Sequence, residues 1–241
     1  MAATSIIYRR ELGAFLRSPF AWVIATLVLI VDGIYFRGFV LRGEQLSALV
    51  LERFFWFSSG MVMFAGILLS FRLISEERTS HSMVLLNTSP VRDSEIIVGK
   101  FLAALTFLAI LLVLTIYMPL LIKVRGKITS SQIVVGYVGL LLLGSATLAI
   151  GLFASAMVKH QLLAAIIATF VVVIMVFLFQ FAKTLDGTVR DVLQELDLWW
   201  IHFQNGFMKG VLNLKDVIYY LAVTYFFLLL GVKTLEAKRW Q

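Results

Sequence analysis

Long apolar stretches divided by short polar breaks run through the whole chain. Six of them are long enough to cross a membrane, which takes roughly 20 apolar residues: about 20–40, 54–73, 97–122, 132–158, 162–182 and 216–235. One break stands apart. Between the second and third stretches, Ser75-Glu76-Glu77-Arg78 through Asn87-Thr88-Ser89-Pro90 is polar and charged, and too long for a plain turn. Its middle, Met83-Val84-Leu85-Leu86, is helix-like, and Pro90 supplies a stop. A polar insert of this kind is built to touch something outside the membrane.

Two further segments carry helical periodicity outside the spans. Tyr8, Leu12, Phe15 and Leu16 fall on one helical stripe, with Arg9, Arg10 and Arg17 on the other side. This predicts an amphipathic helix lying in the membrane interface, basic face toward headgroups, ended by Ser18-Pro19. Between the fifth and sixth stretches, Val189, Val192, Leu193 and Leu196 repeat at i, i+3, i+4 and i+7 after the start signal Asp186-Gly187-Thr188. A second short piece is expected over His202 to Phe207. Trp199-Trp200 sit where interfacial belt aromatics sit. Asn213 and Asp216 resemble a cap for the last span. In the fourth stretch Gly144, Thr147, Gly151, Ala154 and Ser155 share a face, which lets a neighbouring helix backbone approach closely. Pro119 predicts a break near the end of the third.

Composition agrees with the pattern. The 241 residues are 61% hydrophobic with a mean hydropathy of +0.95, where soluble domains are near half apolar. The expected fold class is therefore an all-α membrane protein of six transmembrane helices, one domain over residues 1–241. Met1 to Arg17 carries charge and no apolar core, so no cleavable signal is expected. The net charge of +7 suits anionic lipid, and nothing points to nucleic acid. Cysteine is absent. Charge does not orient the chain. With the N-terminus inside, the 21 basic residues divide eleven to ten between the two sides.

Covalent chemistry finds no support. Gly99-Lys100 has Ser94 at the first loop position and Phe101 after the lysine, so it is no phosphate loop. His81, His160 and His202 are far apart, with no acid at metal spacing. No catalytic residue and no metal ligand is assigned. Asp32 is the one acid well inside a span. It is a candidate pathway residue, or else a group that snorkels, pairs with Arg37 or caps a break at Gly33.

Several segments, taken in order, resemble one family. Ser75-Glu76-Glu77-Arg78, Leu85-Leu86, Ser89-Pro90-Val91, Glu95-Ile96 and Gly99-Lys100-Phe101 are similar to the signature of permease subunits of type-2 ABC transporters. The opening Arg10-Glu11-Leu12 with Ser18-Pro19-Phe20-Ala21-Trp22, and the run from His202 to Leu221, resemble the same family. The ending Leu235 to Trp240 is similar to the branch containing the gliding-motility permease GldF and the nitrous-oxide-reductase maturation permease NosY. The chain departs from the pattern at His81-Ser82, where the family has Gly-Thr, and at Val84, where it has Glu. It also lacks the family's proline near Gly66.

The resemblance implies a cytoplasmic coupling helix between the second and third spans, formed around Ser75, Glu76, Glu77, Arg78, His81, Ser82, Leu85, Leu86 and Pro90. It implies that the N-terminal helix, with Arg9, Arg10, Glu11 and Arg17, also touches the ATPase, and that helices on the outer face cap the pathway. It further implies cytoplasmic termini in a bacterial inner membrane. Two permease chains, alike or different, would work with two ABC ATPases, which hold the ATP and Mg. This chain would hold no cofactor, and an extracytoplasmic accessory subunit could join. The expected function is to couple ATP hydrolysis in a partner to export or mechanical work. An ion-coupled secondary transporter and a non-transporting membrane anchor of a secretion or motility complex are the other two readings.

Overall fold

The computed structural model describes residues 2–40, 46–79 and 91–239. Every regular element among them is helical. Helix α1 (Ala2–Arg17) precedes six membrane-length helices, Pro19–Val40, Ser47–Glu77, Asp93–Val124, Ser130–Met157, Gln161–Ala182 and Leu214–Lys238. In lipid each backbone N–H and C=O must be satisfied within the chain, and a helix does this with its own bonds.

The first span is α2 (Pro19–Tyr35), with Pro19 in its first turn, followed by a π-helical turn Phe36–Val40. The second is α3 (Ser47–Ser70), which begins well before the expected residue 54. Glu52 and Arg53 are charged, but Leu51, Phe54 and Phe55 are buried and draw that turn into the helix. The Ser70 hydroxyl donates to the carbonyls of Gly66 (2.6 Å) and Ile67 (3.2 Å), a back-bond that bends helices. After it the chain turns and continues as α4 (Ser75–Thr79).

The third span is α5 (Asp93–Thr115) followed by α6 (Tyr117–Arg125). The break falls at Ile116, ahead of Pro119, because proline cannot donate to the carbonyl four residues before it, Thr115. The fourth span is α7 (Ser130–Met157), the fifth α8 (Gln161–Ala182) and the sixth α10 (Leu214–Arg239). Helix α9 (Thr188–Glu195) matches the expected periodicity, but its apolar stripe of Val189, Val192 and Leu196 faces outward. Gly187, with φ of 76°, opens it. The expected second piece is a π turn at Trp200–Gln204 and a 3-10 turn at Phe207–Lys209.

The fourth span is the centre of the bundle. It packs against the second, third, fifth and sixth, and every residue from Leu143 to Leu152 is buried. Its small-residue face lies against the second span of the same chain. A Cβ on Gly151 would overlap Ser70, and one on Gly66 would overlap Thr147, so these helices meet nearly backbone to backbone. The fifth span is the opposite case. Leu162, Ile166, Phe170, Val173, Phe177 and Phe181 are all exposed, as suits a face turned to an apolar medium.

Candidate functional site

At the end of the bundle that carries α1, four charged side chains from three separate elements converge. Helix α1 does not stand apart from the spans. It packs chiefly on the third, with Ile7 and Phe15 buried and Tyr8 and Leu12 half-buried. Leu16, expected on the apolar stripe, is exposed. The approach is close because Gly99 lies under α1. A Cβ there would come within 2.8 Å of Ile7. Tyr8 and Thr106 share a hydrogen bond of 3.2 Å between their hydroxyls.

This docking places Glu11 and Arg10 over Lys100. The Lys100 ammonium is buried at 1% exposure and lies 3.1 Å from Glu11 and 2.9 Å from Glu77 of α4. Arg10 donates to the same two carboxylates, at 2.6 Å to Glu11 and 3.0 Å to Glu77. Two cations and two carboxylates thus alternate, so each charge held away from water faces an opposite one. Burial pushes the Glu11 carboxyl up, but Lys100 and Arg10 outweigh it and hold it below the usual glutamate range. Arg72, at the end of the second span, makes a two-point pair with Glu76 (2.8 and 2.9 Å) and lies over the Phe20 ring. A cavity of about 230 Å³ opens beside the cluster, with Phe15, Leu69 and Leu73 on its apolar side and Arg72, Glu76 and Lys100 on its polar side.

Of the residues singled out from sequence, Arg10, Glu11, Glu76 and Glu77 meet at this end. Ser75 is buried beneath them, its hydroxyl donating to the Phe71 carbonyl (2.8 Å). Arg9 and Arg17 are exposed and stand outside the cluster. Arg78 continues α4. His81, Ser82, Leu85, Leu86 and Pro90, with the helix expected over Met83 to Leu86, lie outside the described residues. Asp32 is remote from the cluster. It is buried against the second span and accepts from the Ser58 hydroxyl at 3.4 Å, while Arg37, its expected partner, is exposed. Sequence reasoning missed Lys100 as the centre of the site. The one clue was the lysine near the start of an otherwise apolar span.

The opposite end is held differently. His202 and Asp216 are buried and meet at 2.7 Å. The other ring nitrogen, Nε2, faces the Glu195 carbonyl at 3.1 Å. A carbonyl only accepts, so Nε2 carries hydrogen. The ring stacks on Tyr219 with centroids 3.8 Å apart. Asp216 also accepts from Asn213 at 3.1 Å, so its carboxylate serves these side chains and does not simply cap the last span. Trp199 is buried and donates to the Ser59 hydroxyl (2.8 Å), so it is a core residue and not part of an interfacial belt. Asp197 accepts the backbone N–H groups of Trp199 (2.9 Å) and Ile201 (3.2 Å), yet burial still pushes its carboxyl up.

The six apolar helices define a multi-pass membrane protein. The ABC-2 family transporter protein family matches residues 5–232, nearly the whole chain, so the chain belongs to that family. It is an ABC transporter membrane subunit of the type-2 permease class. Such subunits are not themselves catalytic, and the ATPase sits in a partner. No curated protein matches the chain.

Proposed function

We propose that the end of the bundle formed by α1 and α4 faces the cytoplasm and docks an ABC ATPase, so that hydrolysis in that partner moves the spans. The observation that carries this is the buried Lys100, which binds Glu11 of α1 and Glu77 of α4 at once. The two elements expected to meet the ATPase are thereby fastened to each other and to the third span. A push on either is delivered to the bundle as one displacement, which a bistable pathway can convert into a change of access. The cavity beside Glu76 and Arg72 leaves room for a side chain of the partner.

In this reading two permease chains, alike or different, assemble with two ATPases in a bacterial inner membrane, with both termini cytoplasmic. The whole chain acts as one transmembrane domain. The ending Leu235 to Trp240 supports a place near the gliding-motility and nitrous-oxide-reductase-maturation branch, where export or mechanical work is performed, with an extracytoplasmic accessory subunit as a further partner. Buried Asp32 is the pathway candidate. Co-purification with an ATPase tests the docking. The variant E76A/R78A, which leaves Glu77 on Lys100, is expected to stay folded and lose stimulated ATP hydrolysis, and unchanged stimulation would sink the reading. Transport that survives ATP depletion but is lost in Asp32→Asn would instead make the chain an ion-coupled carrier.

A further inference from the structure

Helix α3 ends at the Ser70 back-bond, so the backbone that follows does not simply continue the helical ladder. Some of its amides still bond within the second span, but two reach outside it. The N–H groups of Ile74 and Ser75 both donate to the hydroxyl oxygen of Ser155 in the fourth span, each at 3.0 Å. Ile74, Ser75 and Ser155 are all fully buried. One turn earlier on the fourth span, Gly151 lies against Ser70. One residue later, Lys238 of the sixth span donates to the carbonyls of Ala156 (3.3 Å) and Met157. A cation there also suits the negative end of the fourth helix. A single turn, Ser155 to Met157, is therefore gripped from one side by the start of α4 and from the other by the end of the sixth span.

We infer that Ser155 is a positioning residue, the point at which displacement of α4 is handed to the fourth span and from it to the sixth. The inference rests on the docking proposed for α4. Its physical content is that two buried amides of the turn into α4 share the Ser155 hydroxyl oxygen, so a shift of α4 carries the fourth span with it or breaks both bonds.

The test compares wild type, Ser155→Ala, and the pair Ser155→Thr and Ser155→Val, which match in shape and differ in the oxygen. Each is purified with the ATPase subunit. Two quantities are read: hydrogen exchange of the Ile74 and Ser75 amides, and ATP hydrolysis stimulated by the permease. In Ser155→Ala and Ser155→Val, exchange at those amides is expected to rise about tenfold or more. Stimulation should fall several-fold while the ATPase still co-purifies. Ser155→Thr should restore both. Unchanged exchange, or raised exchange with full stimulation, overturns the inference. An E76A/R78A variant, which leaves Glu77 on Lys100, in the same assay separates the two failures. If it loses stimulation, docking at α4 stands whatever Ser155 does; if it does not, the docking itself is wrong.

Discussion

At the α1 end of the bundle Arg10, Glu11, Glu77 and Lys100 join three elements through ion pairs. At the opposite end His202, Asp216, Asp197 and Trp199 join the loop after the fifth span to the second and sixth spans through hydrogen bonds and stacked rings. Lys100 at one end and His202 and Asp216 at the other are buried, while Arg10 reaches the surface, and the two clusters are built differently. Charges alternate over several ångströms and can exchange partners without any group losing all its contacts. A stacked imidazole aimed at one carboxylate and one carbonyl has a single good geometry. The first suits the push on α1 and α4 that the proposed docking requires, and the second suits a loop held in one register.

The contrast can be broken most severely at Lys100. Lys100→Met leaves Glu11 and Glu77 facing one another with only Arg10 between them. Removing one partner of a buried ion pair costs about 3 kcal/mol or more. A drop in thermal stability in detergent, with α1 released to proteolysis, is the expected result; an unchanged melting profile would show that the cluster is not a lock. His202→Ala should cost less, about 2 kcal/mol, because Asn213 still donates to Asp216. Its effect should be confined to exchange in residues 196–216, with α1 undisturbed.

Acid separates the two ends by sign. The Glu11 carboxyl is held below its ordinary value of 4.5, so its contribution to stability is present above that value and is lost as pH falls through the lowered one. The Asp197 carboxyl is pushed above its ordinary 3.8 by burial, so its contribution is greatest below 3.8 and declines as pH rises toward the raised value. Glu11→Gln should therefore blunt acid release of α1, and Asp197→Asn should leave that release unchanged. Stability measured between pH 3 and 7 decides it, and identical profiles for the two variants would erase the contrast. The smallest effect belongs to Arg72→Gln. Its pair with Glu76 is partly exposed, and about 0.5 kcal/mol or less is expected. A larger loss would mean that the Phe20 contact matters more than the charge.

Much of this was legible in the residues. The six spans follow from apolar length, and α1 and α9 follow from their periodicity, with the boundary furthest off where charged residues ride on a buried turn, as at Glu52 and Arg53. The small-residue face of the fourth span announced a close neighbour without naming it. Trp199 was misjudged because an aromatic between spans looks the same whether it lies in a belt or under a loop. In the sequence Lys100 is part of a pattern and not a centre, since nothing near it shows that Glu11 will arrive above it.

By itself, then, the sequence determined what each stretch must become: apolar length demands a membrane span, and a span demands a helix, because only local hydrogen bonds satisfy a backbone in lipid. What the stretches do to one another was decided by tertiary structure. Arg10 and Glu77 are 67 residues apart and Glu11 and Lys100 are 89 apart. Ser155 meets the Ile74 amide across 81. Such pairings follow from how helices pack, through Gly99 under α1 and Gly151 against Ser70, and no periodicity along the chain encodes them.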